Sequence, residues 1–393
     1  MSRLDELIQK FCPNGVEFVK IKEVFPRLKG TPITAGKMKE IENSAGEIKI
    51  FAGGKTVISA KEIDIPKANI IRVPAVLVQS RGVIDVIYYD KPFTFKNEMW
   101  AYTADNPSKV KYLYYILKNN IQAFRAAASG MGSLPQISLS VTEDLHIPLP
   151  PLPIQQEIVR ILDTFTNLTA ELTAELTARR KQYEYYRDEL LTFDRDRNEV
   201  VWYPLGEICN VVSGGTPSKK TSSYWENGTI KWLGSTVCKN EKTVDEVTKY
   251  ITLEGLNSSS AKLMPIGTTL IALVGATIGK VAYLPFEAAI NQNIAGICPK
   301  DTKSVDSSYL YYACTRLYQE FLSLTQGQKL AMANLSFVRS LKIPVPPIDE
   351  QKRIAEVLDK FNAICSDLRV GLPAEITARQ KQYEYYRDRL FIF

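Results

Sequence analysis

The sequence predicts an α+β protein: two tandem, pseudo-two-fold-related mixed α/β domains separated by two long antiparallel coiled-coil helices. Three observations carry this prediction. Lys181-Gln182-Tyr183-Glu184-Tyr185-Tyr186-Arg187-Asp188 returns letter for letter as Lys381 to Asp388, an offset of 200, and Thr177-Ala178-Arg179 before it returns as Thr377-Ala378-Arg379. Ile147-Pro148-Leu149-Pro150-Pro151-Leu152 is echoed by Ile343 to Ile348 at an offset of 196, and related runs follow, Gln155–Phe165 and Gln351–Phe361. Between these marks the apolar period passes from strand-like to helix-like in the same order in both halves, as a duplication requires.

The organisation that follows is a first domain over 1–150, a central helix over 151–193, a second domain over 194–345 and a C-terminal helix over 346–393. Leu4, Leu7, Ile8 and Phe11 share one face of a short amphipathic helix over 1–12. Val16–Val24 alternates as a strand, and Val200–Ile208 is its counterpart. Lys29-Gly30-Thr31-Pro32 corresponds to Gly214-Gly215-Thr216-Pro217, a turn in both halves. Strands are predicted at Ile48–Phe51, Val76–Val78 and Val83–Tyr89, and again at Ile230–Leu233, Thr269–Val274 and Lys280–Leu284. A Tyr-rich helix then appears in each half, around Tyr112–Tyr115 and Tyr309–Tyr312, leading into the polar loops Ser129–Ser133 and Gln326–Lys329.

Pro153 suits the first turn of the central helix. Its apolar positions, Ile154, Ile158, Ile161, Phe165, Leu168 and Leu172, are spaced like a coiled-coil seam. Thr-Ala-Glu-Leu then occurs at 169–172 and again at 173–176, a four-residue stutter, before Tyr183, Tyr186 and Leu190 resume the stripe. At about 1.5 Å per residue such a helix is about 60 Å long. The C-terminal helix repeats the scheme from Ile354 through Val357, Phe361, Ile364 and Leu368, and Gly371-Leu372-Pro373 should kink or break it. Matching seams in one chain pack most simply on each other, antiparallel if each helix leads out of its own domain.

With 393 residues and a net charge of +6, the chain has the size and composition of an ordinary soluble protein with several cores. The positive excess lies in the domains: 1–150 carries +5 and 194–345 carries +3, against −2 for 151–193 and zero for 346–393. That distribution favours a polyanion partner at the domains and a protein partner along the helices. The six cysteines form no C-x-x-C pair and fit a reducing compartment. No apolar run is of membrane-spanning length, and no signal region follows Met1, so a cytoplasmic location is expected.

Catalytic chemistry is hard to assemble from these residues. His146 is the one histidine and stands just before a Pro-rich stretch, which rules out most histidine triads and zinc sites. Gly275-Ala276-Thr277-Ile278-Gly279-Lys280-Val281 has a phosphate-loop look, but three residues separate the glycines and Val281 replaces the required Ser or Thr. There is no G-x-S-x-G and no Asn/Asp-Pro-Pro-aromatic tetrapeptide of an amino-methyltransferase.

The Pro-Pro-Leu/Ile lead-in, Gln155–Asp163, the Thr-Ala-Glu-Leu tetrapeptides and the twice-used Lys-Gln-Tyr-Glu-Tyr-Tyr-Arg-Asp resemble the specificity (S) subunit of Type I restriction–modification systems. Ser213–Lys219 and Tyr224–Gly228 look like that family's target-recognition domains, and the tetrapeptides resemble the subgroup in which they set the spacing between domains. The resemblance implies that each domain reads one half of a bipartite, asymmetric double-stranded DNA target. The helices would form the spacer and dock two modification (adenine methyltransferase) subunits, to which restriction (translocase/endonuclease) subunits add. It further implies no cofactor in this chain, with S-adenosylmethionine, ATP and Mg carried by the partners. A rigid rod between two readers acts as a ruler, because major-groove faces repeat about every 34 Å.

Base readout needs Arg, Lys, Asn or Gln at groove level, with Lys and Ser/Thr on phosphates. In the first domain Lys29, Thr31, Lys55, Gln79, Ser80, Arg81, Asn97 and Gln136 are the candidates. In the second they are Thr216, Ser218, Lys219, Lys220, Trp225, Lys280, Asn291, Gln292, Asn293 and Lys329; Arg81 and Lys280 occupy nearby positions in the aligned halves. On the helices, Tyr185, Arg187, Tyr385 and Arg387 are expected to point away from the seam toward a partner. Two rival readings remain: the specificity subunit of a Type IIB-like system, and a non-catalytic coiled-coil adaptor. An enzyme using the Gly275–Lys280 loop is the weakest.

Overall fold

The computed structural model describes residues 2–65, 67–129, 134–193, 200–244, 247, 249–324, 332–366 and 371–393. The chain forms two compact units, one of Met1–Glu171 with Thr377–Phe393, the other of Leu172–Ile376. Each unit thus holds a globular part and a piece of both long helices.

The first unit opens with the helix Arg3–Phe11, closed at its start by a reciprocal cap between Ser2 and Asp5. Its main sheet is antiparallel, in the order Arg27–Leu28, Trp100–Tyr102, Ala75–Gln79, Asp85–Tyr89. A second sheet sets Ile48–Phe51 between Val57–Ala60, antiparallel, and Phe93–Phe95, parallel. The second unit repeats this plan. Cys209–Ser213, Ile294–Pro299, Thr269–Ala272 and Val281–Tyr283 form its antiparallel sheet. In its other sheet, Ile230–Leu233 again pairs parallel with one neighbour, Ala288–Ile290.

Several expected strands are shorter, for local reasons. In 16–24 only Phe18–Lys20 is strand; Ile21–Val24 is a helical turn, which buries Ile21 while Glu23 accepts from the Lys20 N–H. Val201–Pro204 and Leu205–Ile208 divide in the same way. Gly82 and Gly275, with φ of 77° and 70°, turn the chain so that the next strands begin at Asp85 and Val281.

The Tyr-rich helices are Pro107–Asn119 and Ser307–Thr315. Tyr112 and Tyr309 are fully buried, and their hydroxyls donate to the Pro148 and Pro344 carbonyls at 3.0 and 2.8 Å. Without those acceptors each buried hydroxyl would cost about 1–3 kcal/mol. The sheet, this helix and the start of the long helix enclose one core: Val76, Tyr102, Leu113, Ile154 and Ile158 in the first unit, Ile271, Ile297, Leu310, Ile354 and Leu358 in the second.

The central helix runs unbroken from Leu152 to Leu190, through both Thr-Ala-Glu-Leu copies. Its first turns bury Ile154, Ile158 and Leu162, whereas Ile161 is only half-buried, because that stretch faces a domain core as well as a helix. The C-terminal region forms two helices, Ile348–Ser366 and Leu372–Leu390, with Pro373 in the first turn of the second, where its missing N–H costs nothing. Within the first unit Phe165 stacks on Tyr386, and Leu390 is buried in the core. Within the second, Tyr186 stacks on Phe361 while Tyr183 lies near Cys365, so the paired segments run antiparallel.

Candidate nucleic-acid interface

In the first unit the loops at one end of the sheets converge. Gly30 lies so close to the Phe95 carbonyl that a Cβ would meet its oxygen at 2.1 Å, and the Thr31 N–H donates to that oxygen at 2.8 Å. Gly54, at φ 73°, turns the hairpin that carries Lys55. The Gly54 N–H donates to the Arg81 carbonyl at 3.1 Å, and Gln79 Nε2 donates to the Gly54 carbonyl at 2.7 Å. Arg81 and Gln136 form an antiparallel bridge. Lys29, Asn97 and Gln136 line a cleft of about 600 Å³ floored by Met99 and Trp100.

Seven of the eight candidates in this domain touch that cleft or its hairpin through the backbone or side chain, but they divide by burial. Lys29, Lys55, Arg81, Asn97 and Gln136 are exposed. Thr31, Gln79 and Ser80 are buried, contrary to the expectation that they face a ligand. Their polar groups are used internally: Thr31 Oγ1 shares a hydrogen bond with Thr94 Oγ1 at 2.7 Å, and the Ser80 hydroxyl donates to the Glu98 carbonyl. They hold the loops rather than present to solvent. Glu98 stands among these loops as a carboxylate. Burial pushes its pKa up, but the Lys96 ammonium at 2.9 Å and the Gly53 N–H at 3.1 Å outweigh that and hold it below the usual range.

In the second unit Gly214 approaches the Ile290 carbonyl so closely that a Cβ would sit 1.8 Å from its oxygen, and the Gly215 N–H donates to it at 3.1 Å. Since Ile290 holds the register of Phe95, Gly214 is the structural partner of Gly30, one residue from the alignment expected on sequence. Trp232 Nε1 donates to the Gly215 carbonyl and Trp225 Nε1 to the Ser218 carbonyl, both at 3.0 Å, and the two rings meet edge to face at 5.3 Å. Trp225 is thereby a brace for the loop, leaving Ser218, Lys219 and Lys220 exposed on it. Thr216 Oγ1 donates to Gln292 Oε1 at 2.8 Å. Asn291 is buried, and its Oδ1 accepts from the half-buried Asn293 N–H. Lys329 lies outside the described residues.

Arg81 and Lys280 do share one hairpin of the main sheet, in different registers. The Ile137 N–H bonds to Ser80 as the Ala333 N–H bonds to Leu273, which puts Val274 at the place of Arg81. Counting from Gln79↔Asp85, with Ile271↔Val281 one pair further along, puts Asp85 at the place of Lys280. Sequence reasoning missed the connection after Ile230–Leu233, where Thr236, Lys239, Thr243 and Lys249 line a cleft of about 300 Å³. Its Lys and Thr content between two strands was the available signal.

On the helices Tyr185 and Tyr385 are exposed, each edge-on to its neighbour Tyr186 or Tyr386. Arg187 and Arg387, expected to point outward, are half-buried in position: they fold over the Tyr183 and Tyr383 rings at 5.9 and 5.8 Å and pair with Asp188 and Asp388. Burial raises the hydroxyls of both Tyr183 and Tyr383 to about 12. Among the described residues no cluster of His, Cys, Asp or Glu could hold a metal ion, and no helix is long and apolar enough to cross a membrane.

A duplicated α/β unit whose loop ends gather Lys, Arg, Asn and Gln, and whose charge-balanced helices present aromatics, defines a two-unit recognition protein. A family model described as the Type I restriction modification DNA specificity domain matches residues 13–179 and again 198–378, and the chain belongs to that family. It is 42% identical over 299 residues to the specificity subunit of the Type I restriction enzyme EcoR124I/EcoR124II of Escherichia coli, covering 74% of this chain and 72% of that protein. A putative Type I restriction enzyme specificity subunit of Haemophilus influenzae is 33% identical, with 72% of each chain covered. The crystal structure of the Type I S subunit from M. genitalium shares the fold, with a TM-score of 0.66 at 18% identity over 97% of each chain.

Proposed function

We propose that this chain is the non-catalytic DNA-reading subunit of a Type I restriction–modification enzyme and that each of its globular parts reads one half of a bipartite target. The observation that carries this is the gathering of exposed Lys29, Asn97 and Gln136 on one cleft, with exposed Arg81 bridged to Gln136 and Lys55 on the hairpin that bonds Arg81. Such groups match base edges and phosphates, and the buried Thr31, Gln79 and Ser80 fix them from behind. The long helices dock two modification subunits, with exposed Tyr185 and Tyr385 as contacts, and restriction subunits join through them. S-adenosylmethionine, ATP and Mg serve the partner subunits, in the cytoplasm.

The Thr-Ala-Glu-Leu copies act as a ruler. Each lies in unbroken helix, where four residues span about 6 Å, near the rise of two base pairs. Expression with the neighbouring modification subunit in a methylation-free host, followed by sequencing that reports modified adenine, tests the reading. Methylation at one split motif is expected, and deletion of Thr173–Leu176 shortens the gap while both half-sites stay. A complex that methylates every adenine alike would end the bipartite reading. Methylation by a partner that also cuts would favour the Type IIB-like reading.

A further inference from the structure

Each unit holds a part-buried tyrosine–aspartate contact where its globular part meets its long helix. In the first, Tyr115 donates to Asp163 Oδ1 at 2.7 Å, and the Lys111 ammonium sits 2.6 Å from Asp163 Oδ2 and 5.4 Å from the centre of the Tyr88 ring. In the second, Tyr312 donates to Asp359 Oδ1 at 2.5 Å, and Tyr283 takes the register of Tyr88. The residue at the place of Lys111 is Ser308, which carries no charge.

The ammonium arrives from elsewhere. Lys242 bonds both Ser308 Oγ and Asp359 Oδ1, and lies 5.0 and 4.9 Å from the centres of the Tyr283 and Tyr312 rings. Its side chain is 13% exposed. Burial disfavours that charge, and the Asp359 carboxylate and two ring faces offset part of the lost hydration. Lys242 belongs to the connection between Ile230–Leu233 and Tyr250–Ile251, 16 residues at 234–249, where the first unit has only the five residues 52–56. A short hairpin fixes itself, whereas a long connection must be ordered by something outside it. Thr236, Lys239, Thr243 and Lys249 of that connection line the 300 Å³ cleft.

We propose that Lys242 is a positioning residue: it straps this connection to Asp359 on the long helix, so that the Thr and Lys side chains around it meet the half-site read by the second unit. The DNA part of this rests on the proposed function; the strap itself does not. The ammonium that Lys111 supplies from its own helix in the first unit is supplied here by a reading loop.

The test uses the full chain as wild type, Lys242→Met, and Lys242→Met with Ser308→Lys, which returns an ammonium to the place of Lys111. Hydrogen exchange reads the loop, thermal unfolding reads the core, and methylation with the modification subunit reads each half-site. Lys242→Met is expected to raise exchange at the Gly234–Val244 amides by about tenfold or more and to relax only one half-site. The double variant is expected to regain Tm without regaining loop protection or half-site choice. If it restores all three, or if Lys242→Met leaves exchange or half-site choice unchanged, the proposal is overturned. A wild-type chain with no sequence-dependent methylation refutes the DNA reading, and the exchange arm still decides the strap.

Discussion

Tyr186 stacks on Phe361 with ring centres 5.4 Å apart and planes at 25°, and Phe165 stacks on Tyr386 at 5.3 Å and 23° in the other unit. One copy of the repeated octapeptide and one copy of the related Asp-x-Phe run thus meet inside each unit, always from different repeats. Each unit is closed by a helix piece that the other repeat encodes. Tyr186→Ala is therefore expected to destabilise the second unit by about 1–3 kcal/mol, the lost pair plus part of the ring's burial. Tyr186→Phe is expected to change little, since the hydroxyl takes no part in the stack. Chemical unfolding with exchange at Ile348–Ser366 as the local readout checks this; equal losses in both variants would mean that stacking is not what Tyr186 contributes.

The sequence made the repeat, the α+β class, the Tyr-rich helices and the two long helices legible, because each rests on a period or a repeated string. It did not show burial at loop ends. Thr31, Gln79, Ser80 and Asn291 look like surface groups by type, yet Thr31 and Asn291 sit where the chain closes on the parallel pairs at Phe95 and Ile290, and Gln79 and Ser80, at a strand end, spend their side chains on the Gly54 and Glu98 carbonyls. Nor does a letter match fix register: Gly-Thr-Pro aligns in both halves, but Gly30 packs as Gly214 does, because the close carbonyl approach decides. Lys242 was invisible for a related reason. Its partners, Ser308 and Asp359, are 66 and 117 residues away, beyond any local pattern.

That carbonyl approach makes a sharp prediction. A Cβ at Gly214 would stand 1.8 Å from the Ile290 oxygen, and one at Gly30 2.1 Å from the Phe95 oxygen, so alanine at either place forces backbone to move. Gly36, with open space around it, is the control. Gly214→Ala and Gly30→Ala are expected to cost about 2 kcal/mol or more, and Gly36→Ala under about 1 kcal/mol in either direction. Thermal unfolding of the three variants decides it, and indifference at Gly214 would mean the loop has another equally good seat.

Glu157 predicts a pH dependence in the first unit. Arg160 donates to it twice, at 2.9 and 2.7 Å, which lowers its pKa; burial opposes this, and the charges of Arg160 and Arg3 add to the lowering. A carboxyl held below its ordinary 4.5 when folded contributes stability that is present above that value and lost as pH falls through the folded value. The side chain is only 5% exposed, unlike Glu350 with Arg353, which has the same two-point geometry at 37% exposure and should matter less. The stability gap between wild type and Glu157→Gln is therefore expected to be full near neutral pH and to close as pH falls below the ordinary carboxyl value and through the lowered folded one. A gap that stays constant across that range would remove Glu157 from the acid response.

Arg81 and Lys55 separate base reading from phosphate contact. The backbone at Arg81 is pinned on two sides, by the Gly54 N–H on its carbonyl and by the bridge to Gln136, so its exposed guanidinium projects from a fixed point. A planar fork on a fixed base suits a base edge, where one bidentate contact discriminates by about 1–3 kcal/mol. Lys55 sits exposed in a hairpin loop as a flexible point charge, which suits a phosphate. Arg81→Ala is expected to relax one position of one half-site. Lys55→Ala is expected to weaken all sequences alike and to lower the slope of log affinity against log salt by about 1. Binding of the complex with its modification subunit to site and off-site duplexes over a salt series measures both. Uniform weakening by Arg81→Ala, with site preference intact, would move the reading to Asn97 and Gln136 across the cleft.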